Sequence, residues 1–138
     1  MTQGELATLL KDLMALPAET EWVEFKEAKS SYDLDKMGKY FSALSNETNL
    51  KKKKHGWLVF GVSNKPRRIV GTRYRQDRPS LDSLKNEVAN GTGQRITFEE
   101  IHEIVTSDGR VLLFQIPPVF PRHGKAISTA ATGNLWWR

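Results

Sequence analysis

A chain of 138 residues has room for one domain and hardly for two. Its hydrophobic share of 38%, with four Trp and six Phe, supports a packed core and argues against a disordered tail, while the balance of 21 Lys+Arg over 16 Asp+Glu leaves a net charge of +5. The absence of cysteine excludes a disulfide scaffold, thiolate zinc sites and cysteine nucleophiles, and no apolar run reaches the roughly 18 residues of a membrane span. No secretory signal is visible after Met1, so a bacterial or cytosolic protein in the cytoplasm is the expectation.

From Glu5 to Leu16, the positions Leu6, Leu9, Leu10, Leu13 and Leu16 recur at helical spacing and Pro17 acts as a stop. Residues 21–26 alternate, with Val23 and Phe25 on one face and Trp22, Glu24 and Lys26 on the other, which predicts a strand with a charged face. Ser30, Ser31 and Asp33 are candidate caps for a second helix whose buried stripe is Leu34, Met37, Phe41 and Leu44 and which runs to about Asn46. A loop with Asn49 and Lys51 to Lys54 follows. Trp57 to Val62 is a continuous apolar run, the pattern of a central strand buried on both faces. After a basic turn, Lys65 to Arg68, comes the short segment Ile69 to Gly71. Pro79 and Ser80 announce a third helix, with Ser80 as its cap, Leu81, Leu84 and Val88 inside, and Gly91 as its terminator. Ile96 to Val105 and Val111 to Ile116 read as strands joined at Asp108-Gly109, with Pro117 and Pro118 closing the second. The tail Leu135 to Arg138 reads as a last strand, cut from a longer protein. The order α-β-α-β-α-β-β predicts an α+β fold, a mixed sheet with helices packed against it.

The charge is concentrated. Residues 1–50 carry −4, residues 51–78 carry +9, and residues 79–138 carry 0. A local positive field suits a polyanion or a phosphate-bearing ligand, and a solvated loop is the plainer alternative. The cations that would contact phosphates are Lys51, Lys52, Lys53, Lys54, Arg67, Arg68, Arg73, Arg75 and Arg78. Tyr74 would either stack on an unpaired base or pack on its own protein. His55, His102 and His123 lack metal-ligand spacing, no serine has a nucleophile elbow, and Gly91-Thr92-Gly93 lacks the Lys-Ser/Thr of a phosphate loop.

Three stretches in order, Glu19 to Lys26, Phe41 to Asn46 with Gly56 to Val62, and Arg68 to Gly71, resemble the Schlafen AlbA_2 domain family over about residues 17–120. Its members stand at the front of many bacterial regulator-like and helicase-like proteins. The resemblance implies an Alba-like fold, one domain over 1–138 and binding of DNA or RNA, with a homodimer as a further expectation. Many members enter the central strand through a short Asn-Thr-Gly-Gly turn, where Glu47 to His55 form a longer insertion here.

In eukaryotic Schlafen relatives, two glutamates at this spacing and a downstream aspartate are implicated in metal-dependent RNA cleavage. The resemblance thus makes Glu19, Glu24 and Lys26 candidate catalytic residues: carboxylates would hold Mg or Mn, and lysine would offset charge on the phosphate. Where the family often has Asp after Gly-Val, this chain has Ser63-Asn64, a carbonyl oxygen without negative charge. Without that activity no cofactor is expected, and Glu24 and Lys26 would simply pair on a half-exposed face. Self-association through Trp136 and Trp137 is a third possibility.

Overall fold

Thr2 opens the first helix by a capping box: its hydroxyl accepts from the Glu5 N–H while the Glu5 carboxylate accepts from the Thr2 N–H. In the computed structural model, which describes residues 1–18, 20–119 and 137, this helix is α1, Gln3–Met14. Leu6, Leu10 and Leu13 form its buried stripe. There follow β1 (Val23–Lys26), α2 (Leu34–Leu50), β2 (Gly56–Phe60), β3 (Val62–Asn64), β4 (Arg67–Ile69), α3 (Arg78–Gly91), β5 (Glu100–Thr106) and β6 (Gly109–Ile116).

A four-stranded sheet runs in the order β1-β2-β6-β5, with β1 and β2 parallel and the other pairs antiparallel. β1 therefore lies at one margin of the sheet. The α+β, mixed-sheet expectation is met, and β2 is one of its two inner strands. Alternation along the inner strands sorts the core into two layers. Trp57, Val59, Val111 and Leu113 face α1, while Leu58, Phe60, Leu112, Phe114 and Ile116 face α2 and α3. At the crowded centre of the second layer, Phe114 lies 4.9 Å from Phe60 and 5.0 Å from Phe98.

Several elements differ from their sequence reading. The predicted Trp57–Val62 strand breaks at Gly61, whose φ of +96° and close approach to the Arg110 carbonyl (2.6 Å from a would-be Cβ) admit only glycine. Beyond it, β3 and β4 form a separate hairpin, and its turn is Lys65-Pro66, with Arg67 and Arg68 already in β4. α2 runs one turn further than Asn46, because Thr48 is buried and its hydroxyl bonds the Leu44 carbonyl, drawing the next turn onto the core. The insertion read as a loop is thus helical through Leu50, and only the lysines beyond it turn. The cap of α3 is Asp77, which accepts from the Ser80 N–H, and Pro79 sits in the first turn. Gly91 is the last residue of that helix, with Thr92 as the cap. Ile96 to Glu99 lie outside β5, and Ser107-Asp108 form the two-residue turn between paired Thr106 and Gly109.

Of the tail, Leu135, Trp136 and Arg138 lie outside the described residues, as do Glu19 and His123. Trp137 is half-buried: it bridges to Thr92, packs against the backbone of Gly38 and Gly91, and donates its indole N–H to Asp35 at 2.8 Å. Among the described residues no helix is long and apolar enough to cross a membrane.

Candidate nucleic-acid interface

The nine cations singled out by sequence differ in what engages them. Lys51 to Lys54 lie at the start of β2, and the β3–β4 hairpin beyond its end brings Arg67 into the same groove as Glu21, the partner of Lys51. The lysines cap α2 and turn into β2, and Lys52 holds a φ of +56°. Lys51 lies 3.0 Å from Glu21, and this hydrogen bond raises its pKa. The Lys53 ammonium sits 5.2 Å from the Trp22 ring centre. Lys52 and Lys54 have no side-chain partner among the described residues. With Lys53, Asn49 and Pro118 they border an open groove of about 550 Å³, in which Glu99 is engaged by His55 at 2.7 Å.

Three arginines are held by their own protein. Arg67 reaches the carbonyls of Met14, Leu16 and Pro17 and lies 4.4 Å over the Phe25 ring, pinning the α1–β1 connection. Arg75 makes a bidentate pair with Glu87, at 2.6 and 2.9 Å. That pair raises the Arg75 pKa and lowers that of Glu87. Arg78 bonds Asp82 and the Ile101 carbonyl. Arg68 and Arg73 are exposed, with no side-chain partner among the described residues. Tyr74 resolves its two alternatives by packing: it is 5% exposed and lies edge-on to Phe60 at 5.2 Å, so it is not free to stack on a base. Trp57 is core as well.

The carboxylate site gathers at the β1 margin. Glu24 and Lys26 share the half-exposed face, 3.8 Å apart. A hydrogen bond with Tyr40 raises the Lys26 pKa against the opposing effect of burial, and the charge of Glu24 adds to the rise. Glu21, Glu24, Asn64 and Arg67 line one polar groove of about 290 Å³. Asn64 is exposed there, whereas Ser63 is buried and gives its hydroxyl to the Pro66 carbonyl at 2.6 Å. Among the described residues no three acids or imidazoles come together as a metal site. Each of the two glutamates in the groove faces a lysine, and its other oxygen-bearing side chains among the described residues, Asn64 and Thr20, are neutral. Without Glu19, which lies outside the described residues, this set falls short of the several hard, negative oxygens a divalent cation calls for.

A family model described as Schlafen, AlbA_2 matches residues 19–138. The chain belongs to the Schlafen AlbA_2 family. The match extends past the residues whose motifs carried the resemblance. Two solved structures share the fold of this AlbA_2 chain. One is the N-terminal domain of a RecG-related protein from Nitrosomonas europaea, whose name places it with ATP-dependent DNA helicases; it is 22% identical, with a TM-score of 0.59 over 88% of this chain and 81% of that one. The other is the DIP2311 protein from Corynebacterium diphtheriae, 17% identical, with a TM-score of 0.50; the match takes in 99% of the AlbA_2 chain but only 25% of that protein. No curated protein matches.

The basic groove missed by sequence reasoning lies in the acidic first third. Lys26, Lys36 and Lys39 line it together with Tyr32 and Tyr40. Net charge over a window hid it, and the signal available was spacing: residues 36, 39, 40 and 43 fall on one helical face.

Proposed function

We propose that this AlbA_2 domain binds nucleic acid through phosphate contacts and serves as one module of a larger protein. The observation that carries the reading is the set of exposed cations, Lys52, Lys54, Arg68 and Arg73, that have no side-chain partner among the described residues. Such groups keep their full charge for a polyanion. Contacts of this kind give affinity without reading sequence. The RecG-related relative, named for DNA helicases, supports the same direction.

A salt series with labelled DNA and RNA tests the proposal. Four phosphate contacts give a log–log slope that falls by roughly 3 when all four residues become alanine. Absence of binding at low salt refutes the reading.

A second reading, nuclease activity, rests on Glu19, Glu24 and Lys26, the residues to which the family resemblance points; Glu24 lines the polar groove at the β1 margin. Lys26, 3.8 Å from Glu24, would offset charge on a phosphate there. Incubation of RNA with magnesium or manganese, comparing wild type with Glu24→Gln, decides it: cleavage that survives the substitution rules these residues out.

A further inference from the structure

The groove between β1 and α2 has a chemistry different from that of the lysine loop. It measures about 380 Å³ and is lined by Lys26, Tyr32, Lys36, Lys39, Tyr40 and Ala43. α2 supplies four of these from a single face, because positions 36, 39, 40 and 43 are neighbours across successive turns. β1 supplies Lys26 from its half-exposed face, and Tyr32 comes from the segment just before α2.

No carboxylate lines the groove, although two of its three lysines, Lys26 and Lys39, are paired with acids at its rim. Asp33 is spent on the Lys36 N–H as the helix cap. Asp35 binds Lys39 at 3.1 Å and takes the Trp137 indole N–H, which lowers its pKa. Glu24 approaches Lys26 from the margin at 3.8 Å. The Lys36 ammonium has no partner among the described residues.

The two rings are held in place. Tyr32 packs 4.9 Å from Phe60, and the Lys26 ammonium is 4.7 Å from the Tyr40 ring centre. Both rings are half-buried, so each keeps part of its surface open to the groove. Lysines beside fixed aromatic rings offer the two things an unpaired nucleotide presents, a phosphate and a base face. A duplex hides its base faces in the stack and offers only the first.

We propose that this groove binds an unpaired nucleotide of a single-stranded nucleic acid, with phosphate on Lys36, which has no partner among the described residues, and on Lys39, drawn from its exposed pair with Asp35, and with the base against Tyr40. The proposal rests on the nucleic-acid reading above and deepens it by assigning single strands to a second site, whose lining contains none of Lys52, Lys54, Arg68 and Arg73.

The test measures anisotropy of a fluorescent octathymidylate and of a duplex of equal length, across a salt series. Lys36→Gln with Lys39→Gln lowers the single-strand slope by about 1.4 and leaves the duplex slope unchanged. Tyr40→Leu weakens single-strand binding at least about fivefold, and Tyr40→Phe, which keeps the ring, does not. Thermal unfolding of each variant confirms that it is folded. If single-strand binding is insensitive to all of these substitutions but lost with Lys52 and Lys54, the groove assignment is overturned and the nucleic-acid reading stands. If Tyr40→Leu matches wild type while the lysine variant weakens both ligands alike, the groove is a bare anion site and the proposal also fails. Failure of wild type to bind either ligand at low salt overturns both readings together.

Discussion

Replacing Gly38 by alanine sets two effects of known sign against each other. In the interior of α2 the substitution favours the helix by about 1 kcal/mol. The added Cβ, however, would lie 2.0 Å from Cδ2 and Cε2 of Trp137 and 2.3 Å from Cε3. Carbon atoms pack at about 3.5 Å or more, so the ring would have to retreat by about 1.5 Å. It cannot do so sideways into α3, because there it already lies against Gly91, where a Cβ would meet it at 2.1 Å. Expulsion of the indole forfeits the burial of a large aromatic; for this half-buried ring we take about 2 kcal/mol. The expected net result is a destabilisation of about 1 kcal/mol. In a Trp137→Ala background the clash is gone, so Gly38→Ala becomes stabilising by about 1 kcal/mol, a coupling of about 2 kcal/mol. Urea unfolding followed by far-ultraviolet circular dichroism on the four chains of the cycle measures it. Equal stabilisation by Gly38→Ala in both backgrounds refutes the seat.

Three other outcomes follow from the fold. Arg67→Ala strips donors from three carbonyls and a cation from Phe25, and should cost about 2 kcal/mol in urea unfolding, whereas loss of Arg68 should leave stability unchanged. Because Glu87 is held below its ordinary value of 4.5 by Arg75, its contribution is present above that value and lost as pH falls through the lowered one. The melting temperature of wild type should therefore drop more steeply below about pH 4.5 than that of Glu87→Gln; parallel curves would show that the pair contributes nothing to the acid limb. Asp77→Ala should destabilise by about 1 kcal/mol through loss of the α3 cap, and Ser80→Ala should have little effect; the reverse order would restore Ser80 as the cap.

The layers of the fold were legible because they depend on periodicity. Leu6, Leu10 and Leu13 mark a helical stripe, Val23 and Phe25 a strand face, and Trp57 to Phe60 a strand with core on both sides. Boundaries set by one side chain were less visible. Thr48 is polar in sequence, yet it ties its hydroxyl to the preceding turn and carries α2 past Asn46. Gly61 reads as part of an apolar run until the approach of the Arg110 carbonyl is known. For the site, the cations were identified by type, but their partners lie far along the chain: Arg75 needs Glu87, and Arg67 needs the end of α1. Counting charge by segment merged arginines that serve the fold with lysines that face solvent. It also concealed Lys26, Lys36 and Lys39 among the acids of the first 50 residues.

The position of β1 at the margin of the sheet bears on how any of these experiments is read. Among the described residues no strand pairs with the outer edge of β1; such an edge invites a second copy to add its own strand, and opposed charges at Glu24 and Lys26 discourage that. Alanine at either position removes a guard against edge-to-edge aggregation along with the group under test, so lost activity there is ambiguous unless light scattering shows an unchanged particle size. The exchanged pair, Glu24→Lys with Lys26→Glu, keeps both charges on the edge while swapping their places. It separates the chemistry of the groove from the solubility of the strand that carries it.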